Sequence, residues 1–395
     1  MIRAIAKTFK GGIHPPGHKT PTSSKAIETL PLPARVVIPL QQHIGRISEA
    51  IVEIGERVLR GQPLSKPMGP VSVSSHASLS GTVKAIESFP HPLGQVVPAV
   101  VIESDGLDEP YLDYACDEKY LSFSPEEMKN RIADAGITGM GGATFPTHVK
   151  LMPPEDKPID TVILNGAECE PYLTSDHRLM LESPQDILKG LRVIMKVLGV
   201  KKGYIAIENN KPDAIAVFSN LLKNDPEVQV CTLKVKYPQG AEKQLIYAAT
   251  KRRVPAGKLP MEVGCVVQNV GTAKAIYEAV ACHKPLIERV VTVTGAVRNP
   301  KNLLVRIGTP LRELIEYCGG FSEDPGKVIM GGPMMGIAQF TLDVPIIKGS
   351  SGVVVLSRDE IRDVEPQECI SCAQCVDVCP MNLMPTLIVS YVENG

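Results

Sequence analysis

Gly136-Ile137-Thr138-Gly139-Met140-Gly141-Gly142-Ala143-Thr144-Phe145-Pro146-Thr147-His148-Val149-Lys150 is the stretch on which the reading of this chain turns. Gly139, Gly141 and Gly142 leave a bare backbone that a bulky ligand can approach. Glycine also permits the positive φ angles that point successive N–H groups into one concavity. With a helix opening near Pro146, Lys150 stands about two turns past the last glycine, which suits a phosphate at a helix N-terminus. A tight turn without a ligand is the competing reading, because a glycine cluster alone is a weak signal. No Gly-Lys-Ser/Thr follows, so the stretch is not a P-loop. Thr144 fills the third glycine position of the dinucleotide fingerprint.

The flanks of this loop read as alternating helix and strand. Ser124-Pro125-Glu126-Glu127 opens a helix to about residue 135, with Ser124 as N-cap and Glu127 completing a capping box. An apolar strand at 160–164 ends in Asn165-Gly166-Ala167-Glu168-Cys169-Glu170-Pro171-Tyr172, with Asp176 and Arg178 close behind. Strand–helix units follow at 204–207 with 212–222 and at 228–235 with 241–249, the second joined by Tyr237-Pro238-Gln239-Gly240-Ala241-Glu242. Gln268-Asn269-Val270-Gly271-Thr272 then caps a helix at 273–281. An open α/β sheet offers a ligand crevice at the carboxyl ends of its strands.

Upstream the pattern is β. Short alternating strands at 35–39, 51–52, 72–74, 81–86 and 97–103 are separated by glycine turns, and Gly11-Gly12-Ile13-His14-Pro15-Pro16 reads as an extended arm. This looks like the lipoyl/biotinyl barrel-sandwich hybrid. The hairpin tip at 71–76 has no lysine, so a structural module is expected rather than a carrier. Downstream, period two returns at 290–297, turns at Asn299-Pro300 and resumes at 303–307. A helix at 311–317 and a strand at 328–330 complete a β-grasp-like unit. The turn Met330-Gly331-Gly332-Pro333-Met334-Met335-Gly336 reads as adaptable core or interface packing.

Composition narrows the function classes. The 395 residues carry 42 basic and 43 acidic side chains, a balance that argues against nucleic acid or a polybasic membrane anchor. With 33 glycines, 34 prolines and no tryptophan, turn-rich α/β and β units are favoured over helical bundles. Apolar runs at 96–102 and 290–293 are strand-length, and no apolar signal core opens the chain, so a soluble cytoplasmic protein able to dock on membrane partners is expected. Of ten cysteines, Cys116, Cys169, Cys231, Cys265, Cys282 and Cys318 are scattered singly, and they are expected to remain thiols in a reducing compartment.

The other four form Cys369-Ile-Ser-Cys372-Ala-Gln-Cys375-Val-Asp-Val-Cys379-Pro380, the spacing of bacterial ferredoxins. Three thiolates two residues apart wrap one [4Fe–4S] cluster, and the fourth reaches a second. Zinc is the competing reading, on a far less specific pattern. The chain reaches Gly395 without a second run, so a piece of a longer protein is expected, with two clusters in the whole and an incomplete set here.

Together these motifs resemble known families. The loop from Gly139 to Lys150 resembles the FMN loop of the NADH-oxidising flavoprotein subunit of respiratory complex I. Asn165 to Pro171 looks like its acidic loop, Gly240-Ala241-Glu242 like its glycine–glutamate turn, and Asn269 with Thr272 like the segment that closes around the FMN phosphate. The order of modules, with Gly12-Ile13-His14-Pro15-Pro16 in front, resembles the C subunit family of the Rnf (Rsx) ion-translocating electron-transport complexes. Cobalamin reductases share some modules but begin at the flavin domain. Departures from the complex I pattern are Met140 for an arginine, Thr144 for a glycine, Ala167 for an aspartate and an offset at Ala241. Leu151-Met152-Pro153 stand where an adenine-stacking aromatic is missing.

The resemblance implies a multidomain α/β plus β protein: a barrel-sandwich hybrid at 1–107, an FMN/NADH-binding Rossmann-like domain at 108–285, an SLBB β-grasp domain at 286–345 and a ferredoxin-type segment at 346–395. It implies FMN held by Lys150, Asn269 and Thr272, with Gly139, Gly141, Gly142, Asn165 and Gly240 lining it and Phe145 stacking on an aromatic face. Glu168 and Glu170, in the catalytic role, and Glu242 would orient FMN and NAD(H). Cys369, Cys372, Cys375 and Cys379 would ligate iron. The implied enzyme is a peripheral subunit on the cytoplasmic side of the membrane. It would exchange hydride with NAD(H) and relay electrons to the other subunits of an Na⁺- or H⁺-translocating complex. The alternatives are a corrinoid reductase and a docking scaffold with an empty flavin site.

Overall fold

The computed structural model describes residues 6–361, 365 and 367–394. In the barrel, alternating apolar residues build strands β1 (Arg35–Pro39), β2 (Gly81–Pro90) and β3 (Val96–Ser104). The long antiparallel β2–β3 hairpin carries β1 on the free side of β3, and Arg57–Val58 pairs with β2. The expected strand at 72–74 does not form. Its hairpin tip is instead packed inward, with His76 buried and the Ser74 carbonyl accepting from Lys348. Residues 6–33 leave the barrel altogether: Lys7 bridges to Leu233, Ile13 to Tyr237, and Ile27–Thr29 joins the third unit's sheet.

The α/β unit opens with α1 (Pro125–Asp134), capped by Ser124, which accepts from the Glu127 amide at 3.1 Å. The reciprocal half of the expected capping box is missing, because the Glu127 carboxylate turns to Arg131. Then come β4 (Thr161–Gly166), α2 (Ser175–Glu182), α3 (Pro184–Leu198), β5 (Gly203–Glu208) and β6 (Val228–Leu233). The unit closes with α4 (Glu242–Thr250), β7 (Cys265–Asn269) and α5 (Val270–Cys282). All pairings are parallel, in the order β6-β5-β4-β7. The chain therefore steps outward from β4 through β5 to β6, then crosses back to add β7 on the other side. The reversal lies between β4 and β7, and such a switch point opens a crevice at the strand ends. Helices α3 and α5 meet backbone to backbone at Gly190, where a Cβ would lie 1.8 Å from the Ala273 carbonyl oxygen. No side chain fits there.

The third unit is a mixed sheet of β8 (Glu288–Gly295), β9 (Lys301–Arg306), β10 (Pro325–Met330) and β11 (Gly352–Ser357). The expected boundary at 345 falls short, since β11 lies centrally, parallel to β8 and antiparallel to β10. One core runs unbroken from the barrel (Val36, Ile38, Leu79) into the α/β unit (Ile137, Leu164, Ile276), and a second fills the β-grasp unit around Val293, Leu314 and Val353.

Two of the six scattered cysteines do not stay as thiols. The 107–123 connector folds back over the end of α5, where the Asp117 amide donates to Ala281 O, and Cys116 is disulfide-bonded to Cys282.

The three units meet at one buried amine. Lys348, 1 % exposed, donates to Ser74 O of the barrel at 2.9 Å and to Gly136 O, at the start of the glycine loop, at 2.7 Å. Burial lowers its pKa from 10.5 to about 7. Between those values the unfolded chain binds a proton that the folded chain does not. Stability therefore rises with pH through that window, with a slope of up to about 1.4 kcal/mol per pH unit from this group. Lys348→Met should remove that increment, so chemical unfolding from pH 7 to 10 should give wild-type and variant curves that diverge as pH rises. Parallel curves would contradict the assignment.

Candidate functional site

The glycine loop is a hairpin. Gly139 N donates to Phe145 O at 2.9 Å, and Thr138 bridges to Pro146. After it the chain makes only a single helical turn, Thr147–Lys150. The helix whose N-terminus faces the loop is instead α5, at the end of β7. Asn269 caps it, its Oδ1 accepting from the amides of Gly271 (2.8 Å) and Thr272 (3.3 Å). Thr272 Oγ1 in turn accepts from Met140 N at 2.9 Å, tying loop to helix. A Cβ on Gly141 would lie 3.5 Å from the Asn269 side chain, whereas one on Gly142 would meet nothing within 4 Å. Among the described residues, the exposed amides of Gly141, Gly142 and Ala143 donate to no protein acceptor. Unpaired N–H groups on a glycine turn beside a helix N-terminus are donors of the kind an anion takes.

Asn165 and Asn269 are register partners at the carboxyl ends of β4 and β7, so both stand at the switch point. Asn165 Nδ2 donates to Gly240 O at 2.9 Å, which brings the Tyr237–Glu242 turn onto the acidic loop. Gly240 N donates to Cys169 Sγ at 3.3 Å, and burial raises that thiol to about 11, so Cys169 is packed and protonated. Lys150, a half-buried cation near the loop, pairs with Glu242 Oε1 at 2.6 Å. Phe145 is half-buried at the base of the hairpin.

The acidic loop's own carboxylates are largely engaged with protein. Glu168, at φ 47°, accepts from the amides of Asp176 (2.7 Å) and His177 (3.3 Å) and so caps α2. Glu170 Oε2 accepts from Met334 N at 3.0 Å, joining the loop to the methionine turn of the β-grasp unit. Its other oxygen is buried without a partner, and burial raises its pKa. Thr272 is fully buried beneath the loop, so it braces the loop from below.

Several residues outside the expected site set take part. Asp176, raised to about 7 by burial and the nearby Glu168, accepts from Asn269 Nδ2 at 2.6 Å. Gln239, also fully buried, leaves both amide atoms unpartnered in the Pro238–Gly240 turn. Lys211 donates to Ala167 O at 2.7 Å from a site it shares with buried Glu208. Lys19 donates to the carbonyls of Glu168 (2.9 Å), Glu170 (2.8 Å) and Leu173, and burial lowers its pKa to about 8. Lys211 and Lys19 carry no local signal, because each serves loop carbonyls far along the chain, whereas Asp176 and Gln239 fall within stretches that the sequence already singles out.

The cysteine segment lies against this domain. Gly12 N donates to Val378 O at 2.8 Å, and Gln244 Nε2 of α4 donates to Met381 Sδ at 3.2 Å. Cys369, Cys372 and Cys375 are exposed and Cys379 is half-buried, all as free thiols. Among the described residues no three Cys, His, Asp or Glu side chains converge as a metal site. The segment ends in α6 (Pro385–Asn394), on which Leu387, Ile388, Tyr391 and Val392 are exposed.

Comparison with known proteins places the domains. The profile of the Nuo51 FMN-binding domain matches residues 132–278, that of the RnfC barrel sandwich hybrid domain residues 7–107, and that of the SLBB domain residues 290–338. Fold and site thus define a flavin-type α/β protein set between a barrel and an SLBB unit. The C subunit of the proton-translocating ferredoxin:NAD(+) oxidoreductase complex of Clostridium ljungdahlii is 49% identical over 385 residues, 97% of this chain and 84% of that one. The C subunit of the Na(+)-translocating ferredoxin:NAD(+) oxidoreductase complex of Acetobacterium woodii is 49% identical over 392 residues, 98% of this chain and 88% of that one. In Rhodobacter capsulatus, the C subunit of the ion-translocating oxidoreductase complex is 44% identical over 394 residues, 98% and 75% of the two chains. The chain belongs to this C-subunit family. A chain of NAD+-reducing [NiFe]-hydrogenase in the H2-reduced state shares the fold, with a TM-score of 0.50 at 20% identity over 62% of this chain. This chain spans about half of that one, 49%.

Glu168→Ala should destabilise the flavin-free chain by about 1–2 kcal/mol, the usual worth of an N-cap. Thermal unfolding checks this, and an unchanged melting temperature would show that the carboxylate does not hold α2.

Proposed function

We propose that this chain is the NAD(H)-facing subunit of an ion-translocating ferredoxin:NAD+ oxidoreductase complex, binding FMN at the switch point and iron–sulfur clusters at its cysteine run. The observation that carries the reading is the cradle: unpartnered amides at Gly141, Gly142 and Ala143, an open face at Gly142 and the α5 N-terminus, in a domain matched to an FMN-binding family. The residues fit the cofactor. A phosphate would take the loop amides and Lys150, which exchanges its Glu242 partner for the anion, while Gly139 keeps the hairpin closed through Phe145 O.

FMN, when bound, supplies the redox chemistry: it takes two electrons as hydride and gives them up singly. The chain's residues bind and orient. Asn269 and Thr272 hold the cradle's shape through the α5 amides and Met140. Asn165 and Gly240 bring the neighbouring turn close. Glu242, once Lys150 is engaged, is free to accept from a ribose hydroxyl. The unpaired Glu170 oxygen and the Gln239 amide are buried groups that a nucleotide's donors and acceptors would satisfy. Glu168 contributes as the α2 cap rather than by direct contact, which makes it a positioning residue. Phe145 offers its ring to an aromatic face of flavin or nicotinamide.

At the other end, four free thiols in C-x₂-C-x₂-C-x₃-C-P spacing suit [4Fe–4S] ligation, with Cys369, Cys372 and Cys375 on one cluster and Cys379 on a second. The docking of Val378 on Gly12 and of Met381 on Gln244 keeps that run beside the flavin domain. Among the described residues no helix is long and apolar enough to cross a membrane, so attachment to the membrane would run through the complex's other subunits.

Titration of the purified chain with FMN, followed by flavin fluorescence, tests the reading. Wild type should bind, and Lys150→Ala should weaken binding about ten- to hundredfold, the worth of a charge-assisted hydrogen bond. NADH-dependent dye reduction should then appear only in the loaded protein. A chain that binds no flavin would point to the docking scaffold. Separately, reconstitution with ferric iron, sulfide and excess thiol as reductant should give a reducible cluster whose yield falls in Cys372→Ser.

A further inference from the structure

The first stretch of the described chain stands apart from the barrel strands and touches three pieces of the site region: the edge and turn at 232–237, the cysteine segment and the acidic loop. Lys7 adds to the free edge of β6, with Lys7 N donating to Thr232 O (2.8 Å) and Lys234 N to Lys7 O (2.9 Å). Phe9 is buried beneath the ammonium of Lys236, 4.0 Å above its ring, and that ammonium also donates to Phe9 O (2.6 Å) and Gly11 O (2.7 Å). Gly12 receives the cysteine segment at Val378. Gly11 and Gly12 adopt φ 80° and 85°, and a Cβ would lie 2.7 Å from Val378 O at the first and 2.9 Å from Tyr237 O at the second. Ile13 and Tyr237 exchange both backbone hydrogen bonds at 2.8 Å.

The same stretch then reaches the acidic loop. Tyr172 N donates to Gly17 O at 2.8 Å, and the His18 and Tyr172 rings stack at 4.6 Å with 9° between their planes. Lys19 follows, its three N–H donors taken by three loop carbonyls, so the ammonium is fully spent. A lysine used this way contributes shape rather than charge to a ligand. Beyond it, Ile27–Thr29 is pinned to β9, so the arm is held at both ends.

We propose that residues 7–19 are a strap that fixes the cysteine-bearing segment relative to the acidic loop, with Lys19 the positioning residue for that loop. The functional weight of this proposal rests on the reading of 165–173 as the nucleotide-facing wall. The mechanical part does not. The strap grips both the loop that would orient NAD(H) and the segment that would take electrons away. It thereby sets the separation on which single-electron passage depends. It also accounts for the glycine pair, since a side chain at either position would push the cysteine segment or the Tyr237 turn off its seat.

Hydrogen exchange on the unloaded chain tests the strap without any cofactor. The Tyr172 amide reports directly, because its acceptor is an arm carbonyl. Lys19→Met keeps the apolar stem and removes the donors, and it should speed exchange across 168–174 about tenfold while barrel peptides at 81–104 stay unchanged. Gly12→Val should speed exchange at 376–382 and at Tyr237 instead. Should Lys19→Met fail to fold, His18→Ala, which removes only the ring stack, is expected to loosen Tyr172 alone. Unchanged exchange at 168–174 in a folded Lys19→Met chain would overturn the proposal. In FMN-loaded protein at saturating FMN, Lys19→Met should raise KM for NADH by a larger factor than it lowers kcat. Loss of strap protection in a chain that binds no flavin would uphold the strap and sink the functional reading, so the two failures are separable.

Discussion

Backbone carbonyls that point inward without a strand or helix to pair with must find donors, and in this protein buried lysines supply them. Lys348 serves Ser74 and Gly136, Lys211 serves Ala167, and Lys19 serves Glu168, Glu170 and Leu173. An amine is costly to bury, as the lowered pKa values of Lys348 and Lys19 show, and an unpaired buried carbonyl is costly too. Meeting the two needs together lets irregular loops be rigid. The glycine loop and the acidic loop are those loops, and each is held by a lysine from a distant part of the chain.

The parallel sheet then decides where the loops stand. Because β7 returns to the far side of β4, Asn165 and Asn269 become neighbours at the reversal, with the glycine loop against Asn269 and the Gly240 turn against Asn165. The site is thus assembled from three loops whose side chains chiefly hold one another. Backbone amides and the open face at Gly142 are left for a ligand. That division of labour suits a cofactor-bearing subunit, in which the protein binds and orients while the cofactor performs the chemistry.

The barrel and the β-grasp unit are braces for this arrangement. The barrel's hairpin tip, which in a carrier would present a lysine to solvent, is instead plugged by a lysine from another unit. Glu170 reaches across to the methionine turn, where Met335 remains 77% exposed. The turn is thus split: Met330 packs in the β-grasp core, while Met334 and Met335 are exposed at the sheet's edge beside Ile337–Ala338.

Local pattern determined much by itself. Helix and strand order, the Ser124 cap, the glycine loop, the acidic loop and the cysteine spacing are all readable, because each depends on residues close in the chain. Tertiary structure alone decided the rest. It spent Glu168 on a helix cap and buried Thr272 beneath the loop. It drew β11 into the sheet from beyond the expected boundary, bonded Cys116 to Cys282 and laid the first arm across the cysteine segment. These outcomes depend on contacts between residues as many as a few hundred positions apart. No periodicity or local motif encodes such contacts; only the packed chain brings the donors, acceptors and thiols within reach.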